Sequence, residues 1–395
     1  MSRPIRLLLV TKSTGGVATY IRSIVKRINR DRFSVSVICL SEEGKEFADE
    51  LMRTYGVRAF NMAMNRYKVN PITDTWVLFQ LAQHIRREKY DVIHVHASKP
   101  GFLMRIAAIG TGIPVIYSPH NFAFHEGSHR LAAWLVAILE RFAIRYTARI
   151  IAVAEHERRL ALQYGVGTSS IFSVVHSGID SRPFRGEFDI LGLKSSLGIP
   201  ANAVVVGAVG RLAIPKLPLD FVKSAVKLHA LQPDIHFVWV GSGPLASEAI
   251  KMASSLGLAE VFHWLGERSD VSRLLHIFNC LILPSRWEAF PLVVLEAFAS
   301  GVPVIATDNL GTHEIIESGR NGWLVPIGDI EALSRAILHI LANPHLVESI
   351  CQTAAKQIDE EYTLEKMIST LEHIYAEEAR ELINAEYVSM VNENH

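Results

Sequence analysis

The 395-residue chain has few cysteines, no long apolar run and no excess of charge of either sign. Its three cysteines, Cys39, Cys280 and Cys351, are odd in number and widely spaced. This spacing argues against a disulfide framework or a cysteine zinc site and fits a reducing compartment. No apolar stretch reaches the roughly 20 residues that a membrane span needs, and the apolar run at 7–10 is too short for a signal peptide. We therefore expect a cytoplasmic protein that is not integral to a membrane.

The absence of net charge conceals a difference between the two halves of the chain. Residues 1–180 hold 24 Lys and Arg against 14 Asp and Glu, whereas residues 181–395 hold 16 against 26. A basic half suits an anionic acceptor, a membrane surface or nucleic acid. The simpler alternative is that the two halves attract each other.

Apolar runs suited to strands alternate with segments of helical periodicity, which predicts doubly wound parallel sheets of the α/β class. The polar stretch 181–198 is interpreted as an irregular linker. Strands are expected at 6–10, 35–40, 57–62, 91–96, 115–118, 150–154, 171–176, 204–209, 237–240, 261–265, 281–283 and 302–307. Helices are expected at 17–29, 72–88, 102–109, 131–146, 292–300, 331–341, 344–358 and 363–385.

The stretch 280–308 carries the strongest candidate site. It predicts a strand, a loop, a short helix starting near Pro291 and a second strand, which together form a βαβ unit. Glu288 lies in the loop, and Glu296 is the only charged residue of the short helix. Open α/β sheets bind ligands outside the carboxyl ends of their strands, where helix N-termini favour anions. The stretch therefore predicts an anionic ligand and two carboxylates directed at hydroxyl groups, with solvated surface glutamates as the alternative.

The sequence Glu288-Ala-Phe-Pro291, followed by Glu296, resembles the paired-glutamate motif of retaining, nucleotide-sugar-dependent glycosyltransferases of the GT-B architecture. In that family the first Glu contacts the donor sugar and the second holds the ribose hydroxyls. Pro291 stands where a Gly often follows the Phe. The resemblance implies that the residues after the first Glu also bind the donor: Ala289, Phe290, Pro291 and Leu292.

A second segment, Gly210-Arg211-Leu212 followed by Lys216, resembles the family's stretch whose Arg and Lys bind the donor diphosphate. Leu217 stands where the family has Gly. Cations at the carboxyl end of a buried strand suit a diphosphate. Without the resemblance, two solvated loop cations are the alternative.

Two further segments resemble parts of the same family. Gly15-Gly16 precedes a predicted helix, as does the glycine pair that faces the donor phosphates or the acceptor in the family. For this pair alone, a tight turn at a helix start is an equal alternative. Arg268 lies in a turn that is placed against the nucleotide base in the family.

Three histidines, His94, His96 and His120, occupy predicted strand ends. His94 and His96 share one side of a strand, but no carboxylate or cysteine accompanies them, so neutral core or cleft histidines are favoured over a metal pair. The stretch 120–124 resembles the His-Gly-Phe-Ala-Phe of polysaccharide-assembling members, whose His reaches the donor sugar. His120 is therefore a candidate site residue. Further candidates with less support are Lys99, His125 and Glu126.

The resemblance implies two Rossmann-like doubly wound parallel-sheet domains facing a cleft. Residues 1–182 would bind the acceptor and 183–362 the donor, while 363–395 would cross back to the first domain as a helix. The implied reaction transfers a sugar with retention from a nucleoside-diphosphate sugar, with UDP favoured, to a hydroxyl of a glycan or a lipid-diphosphate-linked acceptor in polysaccharide assembly. The residues implied in catalysis are Glu288, His120, Lys216 and Arg211.

No cofactor, metal or nucleic-acid partner is expected. The chain lacks the Asp-x-Asp triplet that holds metal in the other major glycosyltransferase architecture, and Arg211 and Lys216 would neutralise the diphosphate instead. The alternatives are an epimerase or hydrolase of the same fold and a catalytically silent sugar-nucleotide-binding protein.

The predicted helix at 131–146 bears on location. It is nearly apolar around its whole circumference, so most of it is expected in the core. Trp134 and the nearby arginines also suit an anionic bilayer, which would place the protein peripherally at the inner face of the cytoplasmic membrane.

Overall fold

The computed structural model describes residues 3–13, 15–65, 69–124 and 128–393, with side chains through residue 380. The chain divides into two units. Unit 1 comprises Met1–Ser177 and Leu364–His395, and unit 2 comprises Gly178–Thr363.

Unit 1 contains a seven-stranded parallel sheet. Its strands are β1 Ile5–Thr11, β2 Phe33–Cys39, β3 Arg58–Asn61, β4 Val92–His96, β5 Val115–Ser118, β6 Arg149–Ala152 and β7 Phe172–Val174. Their order in the sheet is β3-β2-β1-β4-β5-β6-β7. The helices are α1 Gly15–Arg27, α2 Gly44–Tyr55, α3 Pro71–Glu88, α4 Ser98–Ala107, α5 Arg130–Ala143, α6 Glu155–Gln163 and the last helix of the chain, α15 Leu364–Glu393.

Helices cover both faces of this sheet. Along β1, Leu7 and Leu9 enter a core shared with α1, α2 and α15, whereas Leu8 and Val10 enter a core shared with α3, α4 and α5. Successive side chains of a strand point to opposite faces, so a strand covered on both sides is apolar throughout. Helix α15 completes the first of these cores with Leu371 and neighbouring residues.

Unit 2 contains a six-stranded parallel sheet in the order β10-β9-β8-β11-β12-β13. These strands are β8 Val204–Val209, β9 Ile235–Val240, β10 Phe262–Gly266, β11 Cys280–Leu283, β12 Val304–Thr307 and β13 Trp323–Val325. The helices are α7 Ile190–Ser196, α8 Pro218–Leu231, α9 Ala246–Ser255, α10 Val271–Leu274, α11 Leu292–Ala299, α12 Leu310–His313, α13 Ile330–Ala342 and α14 Pro344–Glu361.

Each sheet has one point at which the strand order reverses. In unit 1 it lies between β1 and β4, and in unit 2 between β8 and β11. Loops at the carboxyl ends of these strand pairs diverge there and leave a crevice, which is where open α/β sheets bind ligands.

The predicted doubly wound parallel sheets are confirmed, with corrections to single elements. The stretch 181–198 is not wholly irregular, because it contains a 3₁₀ turn at Arg182–Phe184 and helix α7. Helix α1 begins at Gly15 itself, and Pro291 precedes α11 as its N-cap. Helices α2, α6, α8 and α9 are absent from the predicted elements, although in α2 the buried residues Phe47 and Leu51 have helical spacing.

The expectation that most of 131–146 is core is wrong. In α5 the small residues Ala133 and Ala137 face the sheet, while six large apolar side chains are 37–61% exposed. These six residues are Leu131, Trp134, Leu135, Ile138, Leu139 and Phe142. Among the described helices, not one combines the length and apolarity that crossing a bilayer requires.

A buried ion pair fixes the orientation of α5. Glu140 of α5 receives a hydrogen bond from the Arg105 guanidinium of α4 at 2.7 Å and another from the Tyr117 hydroxyl at 3.2 Å. Arg105 is fully buried, with its guanidinium carbon 4.1 Å from the centroid of the Tyr117 ring. Gly101 leaves room for that ring, because a Cβ there would lie 2.4 Å from it. Rotating α5 to bury its large apolar residues would break this ion pair.

Removal of the buried acid should therefore be costly. We expect Glu140→Ala to lower the free energy of unfolding by about 3–5 kcal/mol, because it leaves the buried Arg105 charge without its counterion. Glu50→Ala, which breaks the half-exposed pair with Arg22, serves as the control and should cost at most about 1 kcal/mol. Denaturant unfolding of both variants measures the difference. A loss for Glu140→Ala no larger than the control's would contradict this account.

Candidate active site

In unit 2, two predicted site residues meet where the strand order reverses. Lys216, after β8, forms an ion pair with Glu288, after β11. The backbone N–H of Arg286 donates to the Pro215 carbonyl at 2.7 Å and joins the same two loops. The paired side chains are 21% and 12% exposed, so a ligand can reach them while bulk water screens them only in part.

The loop after β8 has a tightly fixed path. The Gly210 carbonyl accepts a hydrogen bond from the Trp239 indole at 2.8 Å. A Cβ on Gly241 would lie 2.2 Å from that carbonyl oxygen, so only glycine fits. Leu217 adopts a left-handed conformation with φ of +43°, which costs a side-chain-bearing residue energy. The family that this segment resembles has glycine at this position. This chain has leucine there, in a backbone conformation that glycine normally adopts.

The two arginines predicted for the donor site are both at the surface. Arg211 is exposed in the loop after β8. Arg268 follows β10 and is held by Asp270 through two hydrogen bonds of 2.8 and 2.7 Å. Because β9 lies between β10 and β8, Arg268 stands further along the sheet edge than Lys216 and Glu288.

Helix α11 carries the remaining predicted donor residues. Pro291 is the N-cap of α11 and Leu292 is its first residue. The N–H groups of the first turn have no partner within the helix and point out of its N-terminus, which follows Glu288 closely in sequence. Ala289 is half-buried, while Phe290 is buried and meets the Tyr362 ring edge-on at 5.6 Å.

Glu296 lies in the second turn of α11 and is half-buried. Its carboxyl has no hydrogen-bonding partner within the described parts of the chain, and burial raises its pKa to about 7. A half-buried carboxyl that no protein group satisfies is partly desolvated, so this position is suited to accepting hydrogen bonds from ligand hydroxyls.

A buried polar network that the sequence did not reveal supports the β11 loop. The Asn309 amide donates to the Ser285 carbonyl at 3.1 Å, and the Thr307 hydroxyl donates to the same oxygen. Asn309 also caps α12 by accepting from the backbone N–H groups of Gly311 and Thr312. A Cβ on Gly311 would lie 2.4 Å from the Glu288 carbonyl oxygen. This packing fixes the backbone that carries Glu288.

In unit 1, the predicted glycine pair forms the first turn of α1. Gly15 has φ of +68°, a conformation that favours glycine. A Cβ at Gly15 or Gly16 would meet none of the described atoms within 4 Å. The backbone of this glycine pair is therefore accessible to a ligand. The pair follows β1, and the strand order of the sheet reverses between β1 and β4.

The predicted histidines form one cluster with Tyr20 beside this turn. His94 and His96 are fully buried, whereas His120 is half-buried. His96 Nδ1 lies 3.0 Å from His120 Nε2, and the Tyr20 ring meets both imidazoles edge-on. Burial lowers the pKa of all three histidines, that of His120 to about 3 with a further contribution from Lys12. The expectation that His94 and His96 lie in the core is confirmed, and their lowered pKa favours the neutral form.

The backbone around His120 is strained in a way that the sequence did not reveal. Ala97, His120 and Asn121 have φ of +70°, +50° and +97°. The Asn121 N–H donates to buried Glu157 at 2.5 Å, and the Val153 N–H donates to the same carboxylate at 2.9 Å. Residues held in such conformations cluster at functional sites, where the surrounding structure compensates the cost.

Three site candidates have less support from the sequence: Lys99, His125 and Glu126. The Lys99 ammonium is 2.7 Å from Asp74 of α3 and donates to the Asn65 carbonyl, so it connects α4 to α3. His125 and Glu126 lie outside the described residues. Within the described residues, no three His, Cys, Asp or Glu side chains form a group that could hold a metal ion.

Two family models match the chain, one in each unit. Residues 15–173 match the glycosyl transferase 4-like domain, and residues 192–357 match the glycosyl transferases group 1 model.

Curated relatives resemble most of the chain. UDP-Gal:α-D-GlcNAc-diphosphoundecaprenol α-1,3-galactosyltransferase of Escherichia coli is 28% identical over 87% of this chain and 89% of its own length. The putative glycosyltransferase EpsD of Bacillus subtilis is 28% identical over 78% of this chain and 83% of its own.

Solved structures share the two-sheet fold. The Anabaena HepE protein in complex with UDP and glucose superposes with a TM-score of 0.83 at 21% identity, covering 94% of this chain and all of that one. Sucrose-phosphate synthase of Thermosynechococcus elongatus gives a TM-score of 0.80 at 18% identity over 96% of this chain and all of its own.

The Glu296 carboxyl predicts a pH-dependent stability. Its pKa is about 7 in the folded chain and 4.5 as the ordinary value, so the folded state binds this proton more tightly. The stabilisation it provides is therefore present below about pH 4.5 and lost as pH rises through about 7. We expect Glu296→Gln to be more stable than wild type at pH 8, by roughly 1–3 kcal/mol, and equal to it near pH 4.

Denaturant unfolding of wild type and Glu296→Gln at both pH values measures this difference. Glu50 provides the control, because Arg22 lowers the pKa of its carboxyl, so Glu50→Gln should be less stable than wild type at pH 8. A Glu296→Gln effect that is the same at pH 4 and pH 8 would refute the raised pKa.

Proposed function

Because this chain belongs to the glycosyltransferases, with a 4-like domain and a group 1 domain, we propose that it transfers a sugar from a UDP-sugar to a hydroxyl of a lipid-diphosphate-linked glycan, with retention of configuration. The observation that carries the proposal is the Lys216–Glu288 pair beside the N-terminus of α11. It combines a cation and helix N–H groups for a diphosphate with a carboxylate for sugar hydroxyls.

Three features of unit 2 would bind the donor. Lys216, Arg211 and the α11 N-terminus would stabilise the charge that develops on the leaving diphosphate. Glu288, once Lys216 turns to the phosphate, would accept from the donor sugar. Glu296 would accept hydrogen bonds from the ribose hydroxyls, which would give its half-buried carboxyl the partners it lacks in the protein.

The retaining mechanism is proposed as a front-face substitution. The leaving phosphate oxygen would take the acceptor proton while the new glycosidic bond forms on the face that the diphosphate leaves. No side chain then acts as a strong general base, and no pair of carboxylates like that of retaining hydrolases is needed. His120 of unit 1 would orient the donor sugar as a neutral hydrogen-bonding group.

Relatives support the choice of donor and acceptor. The E. coli relative is named for a UDP-galactose donor and a diphosphoundecaprenol-linked acceptor, and the Anabaena structure contains UDP and glucose. An epimerase or hydrolase of the same fold, or a silent binding protein, would give an epimer, free sugar or no product from a UDP-sugar. Mass spectrometry of the products with a lipid extract as acceptor separates these cases from transfer.

Loss of the donor contacts should abolish most activity. Arg211→Ala, Lys216→Ala and Glu288→Ala should each lower kcat/KM roughly 100-fold or more, the effect of removing a preorganised electrostatic contact. Glu296→Ala should mainly weaken UDP binding, measured by calorimetry. Lys223, an exposed lysine paired with Asp220 in α8, is the matched control, and Lys223→Ala should retain activity. Near-normal turnover in all three site variants would overturn the assignment.

The reaction should not require a divalent metal. Lys216 and Arg211 are proposed to neutralise the diphosphate, which is the task of the metal in metal-dependent transferases. We expect transfer from the UDP-sugar to proceed at an unchanged rate in EDTA. Loss of activity in chelator with recovery on adding Mn²⁺ or Mg²⁺ would contradict this part of the proposal.

We further propose that unit 1 binds the membrane surface through α5. The exposed face of α5 carries six large apolar residues, and its single acid, Glu140, is buried. Arg130, Arg141 and Arg145 are exposed at or beside this helix, so the face combines apolar and cationic groups. An amphipathic surface of this composition binds anionic bilayers at the headgroup level.

Helix α3 carries a second group of exposed aromatic residues on the same face of the sheet. It packs with α4 and α5 on the same face of the sheet, and its Trp76 and Phe79 are 60% and 57% exposed. Their rings stack 5.9 Å apart. Exposed aromatic side chains are favoured at the membrane interface.

Vesicle binding tests this role. The protein should co-sediment with anionic vesicles at low salt, and binding should fall at high salt as the arginines are screened. The double variant Trp134→Gln, Ile138→Gln should bind at least about 10-fold more weakly, since two apolar side chains no longer enter the bilayer. Leu346→Gln, which alters an exposed apolar residue of unit 2, is the control and should bind as wild type does.

Equal binding to anionic and neutral vesicles, or binding to neither, would remove the membrane role. Concentration-dependent self-association that Trp134→Gln, Ile138→Gln abolishes would instead identify the α5 face as a contact between copies. Neither result would affect the proposed transfer reaction.

A further inference from the structure

Three imidazole rings form a row from the interior of unit 1 to its surface. The ring centroids of His94 and His96 are 4.0 Å apart, and those of His96 and His120 are 5.2 Å apart. His94 uses both nitrogens, with Nδ1 at 2.7 Å from the Tyr375 hydroxyl and Nε2 at 2.8 Å from the Ser118 hydroxyl. Only His120, at the end of the row, is accessible to solvent.

The hydrogen bond between His96 and His120 restricts where the protons can be. Each neutral imidazole carries one N–H, and only one proton can lie between His96 Nδ1 and His120 Nε2. If His96 donates, its Nε2 is a bare lone pair and His120 carries its proton on Nδ1. If His120 donates, His96 must carry its proton on Nε2.

Burial distinguishes these two arrangements. His96 Nε2 is buried and has no hydrogen-bonding partner among the described residues. A buried N–H without an acceptor is rare in folded proteins, because the donor loses its bond to water and gains none. The arrangement in which His96 Nδ1–H donates to His120 leaves His96 Nε2 without a proton, so no buried N–H lacks an acceptor. Burial also lowers the pKa of both residues, so a second proton that would satisfy both rings is disfavoured.

We infer that His96 is a positioning residue that holds His120 in the tautomer with hydrogen on Nδ1, so that His120 presents an N–H donor to its ligand. This inference rests on the proposed function, in which His120 meets a hydroxyl of the donor sugar. The backbone at His120 and Asn121 is left-handed, and Glu157 holds it by accepting from the Asn121 N–H, while the hydrogen bond with His96 acts on the His120 ring itself. A neutral donor suits an uncharged hydroxyl oxygen of the sugar.

The tautomer is measurable without any substrate. In ¹⁵N-histidine-labelled full-length protein, long-range ¹H–¹⁵N spectra distinguish an Nδ1–H ring from an Nε2–H ring, and His120→Gln identifies its signals. We expect His120 to be Nδ1–H in wild type and to lose that tautomer in His96→Phe, which keeps an aromatic ring in the same space. An Nε2–H His120 in wild type, or no change in His96→Phe, would overturn the inference whether or not the chain is a transferase.

Kinetics test whether the tautomer matters to the reaction. His96→Phe should lower kcat/KM for the UDP-sugar by about 10-fold, the cost of one neutral hydrogen bond, while the Kd for UDP stays within about 2-fold of wild type. His96→Asn, whose amide nitrogen can stand near the Nδ1 position, should recover part of the rate and of the Nδ1–H signal. Unchanged kcat/KM in His96→Phe would reject the positioning role.

Tyr20 provides a matched control for the loss of a buried polar atom in this cluster. Its ring contacts both His96 and His120, and its buried hydroxyl has no partner among the described residues. Tyr20→Phe should therefore leave the tautomer and kcat/KM unchanged. A loss of rate in Tyr20→Phe equal to that in His96→Phe would indicate that removing any buried polar atom of this cluster lowers activity, and that the hydrogen bond between His96 and His120 has no special role.

Discussion

The ion pair between Lys216 and Glu288 is the interaction on which the candidate site of unit 2 depends. It joins the loops after β8 and β11, the two strands between which the strand order reverses. A half-buried cation and carboxylate need each other when no ligand is present, because either alone would lose hydration without compensation. When an anion attracts Lys216 away from this ion pair, the Glu288 carboxylate must accept hydrogen bonds from other donors. A ligand that carries a phosphate and hydroxyl groups at the right separation meets both needs, whereas a phosphate alone meets one.

The sheets could be predicted from the sequence because the information for them is local. Strands such as β1 and β11 are short apolar runs with turn residues at their ends, and a parallel strand buried on both faces has this appearance. Gly210, Arg211 and Lys216 were placed correctly in one loop for the same reason. The pairing of Lys216 with Glu288, 72 residues apart, does not follow from either segment alone.

The orientation of α5 could not be predicted from its pattern of apolar residues, because the structure buries the side with the small residues and Glu140 and exposes the large apolar side chains. The side that faces the sheet is set by Glu140, whose partner Arg105 lies on another helix. The only sequence signal was a lone acid within an apolar segment, and that signal is ambiguous without its partner.

The strained backbone conformations could not be predicted from the sequence for a different reason. Leucine at 217 and histidine at 120 are not residues that predict a positive φ, and both adopt one. Surrounding contacts impose these conformations, as Glu157 does by accepting from the N–H of Asn121. The resemblance gave an indirect clue, since the related family has glycine at the position of Leu217 and at that of Asn121.

The chain enters and leaves unit 2 at adjacent points. Gly178 begins the unit and Thr363 ends it, and the Ile179 N–H donates to the Tyr362 carbonyl at 2.9 Å beside a bridge between Ile179 and Thr363. Unit 2 is thus a closed insertion within a host whose final helix, α15, is supplied after it. Such an insertion can be replaced by joining a different domain at two neighbouring points of the chain, and no strand of the unit 1 sheet is interrupted. Recombination between relatives could in this way change unit 2 while leaving unit 1, including the core that α15 completes, intact.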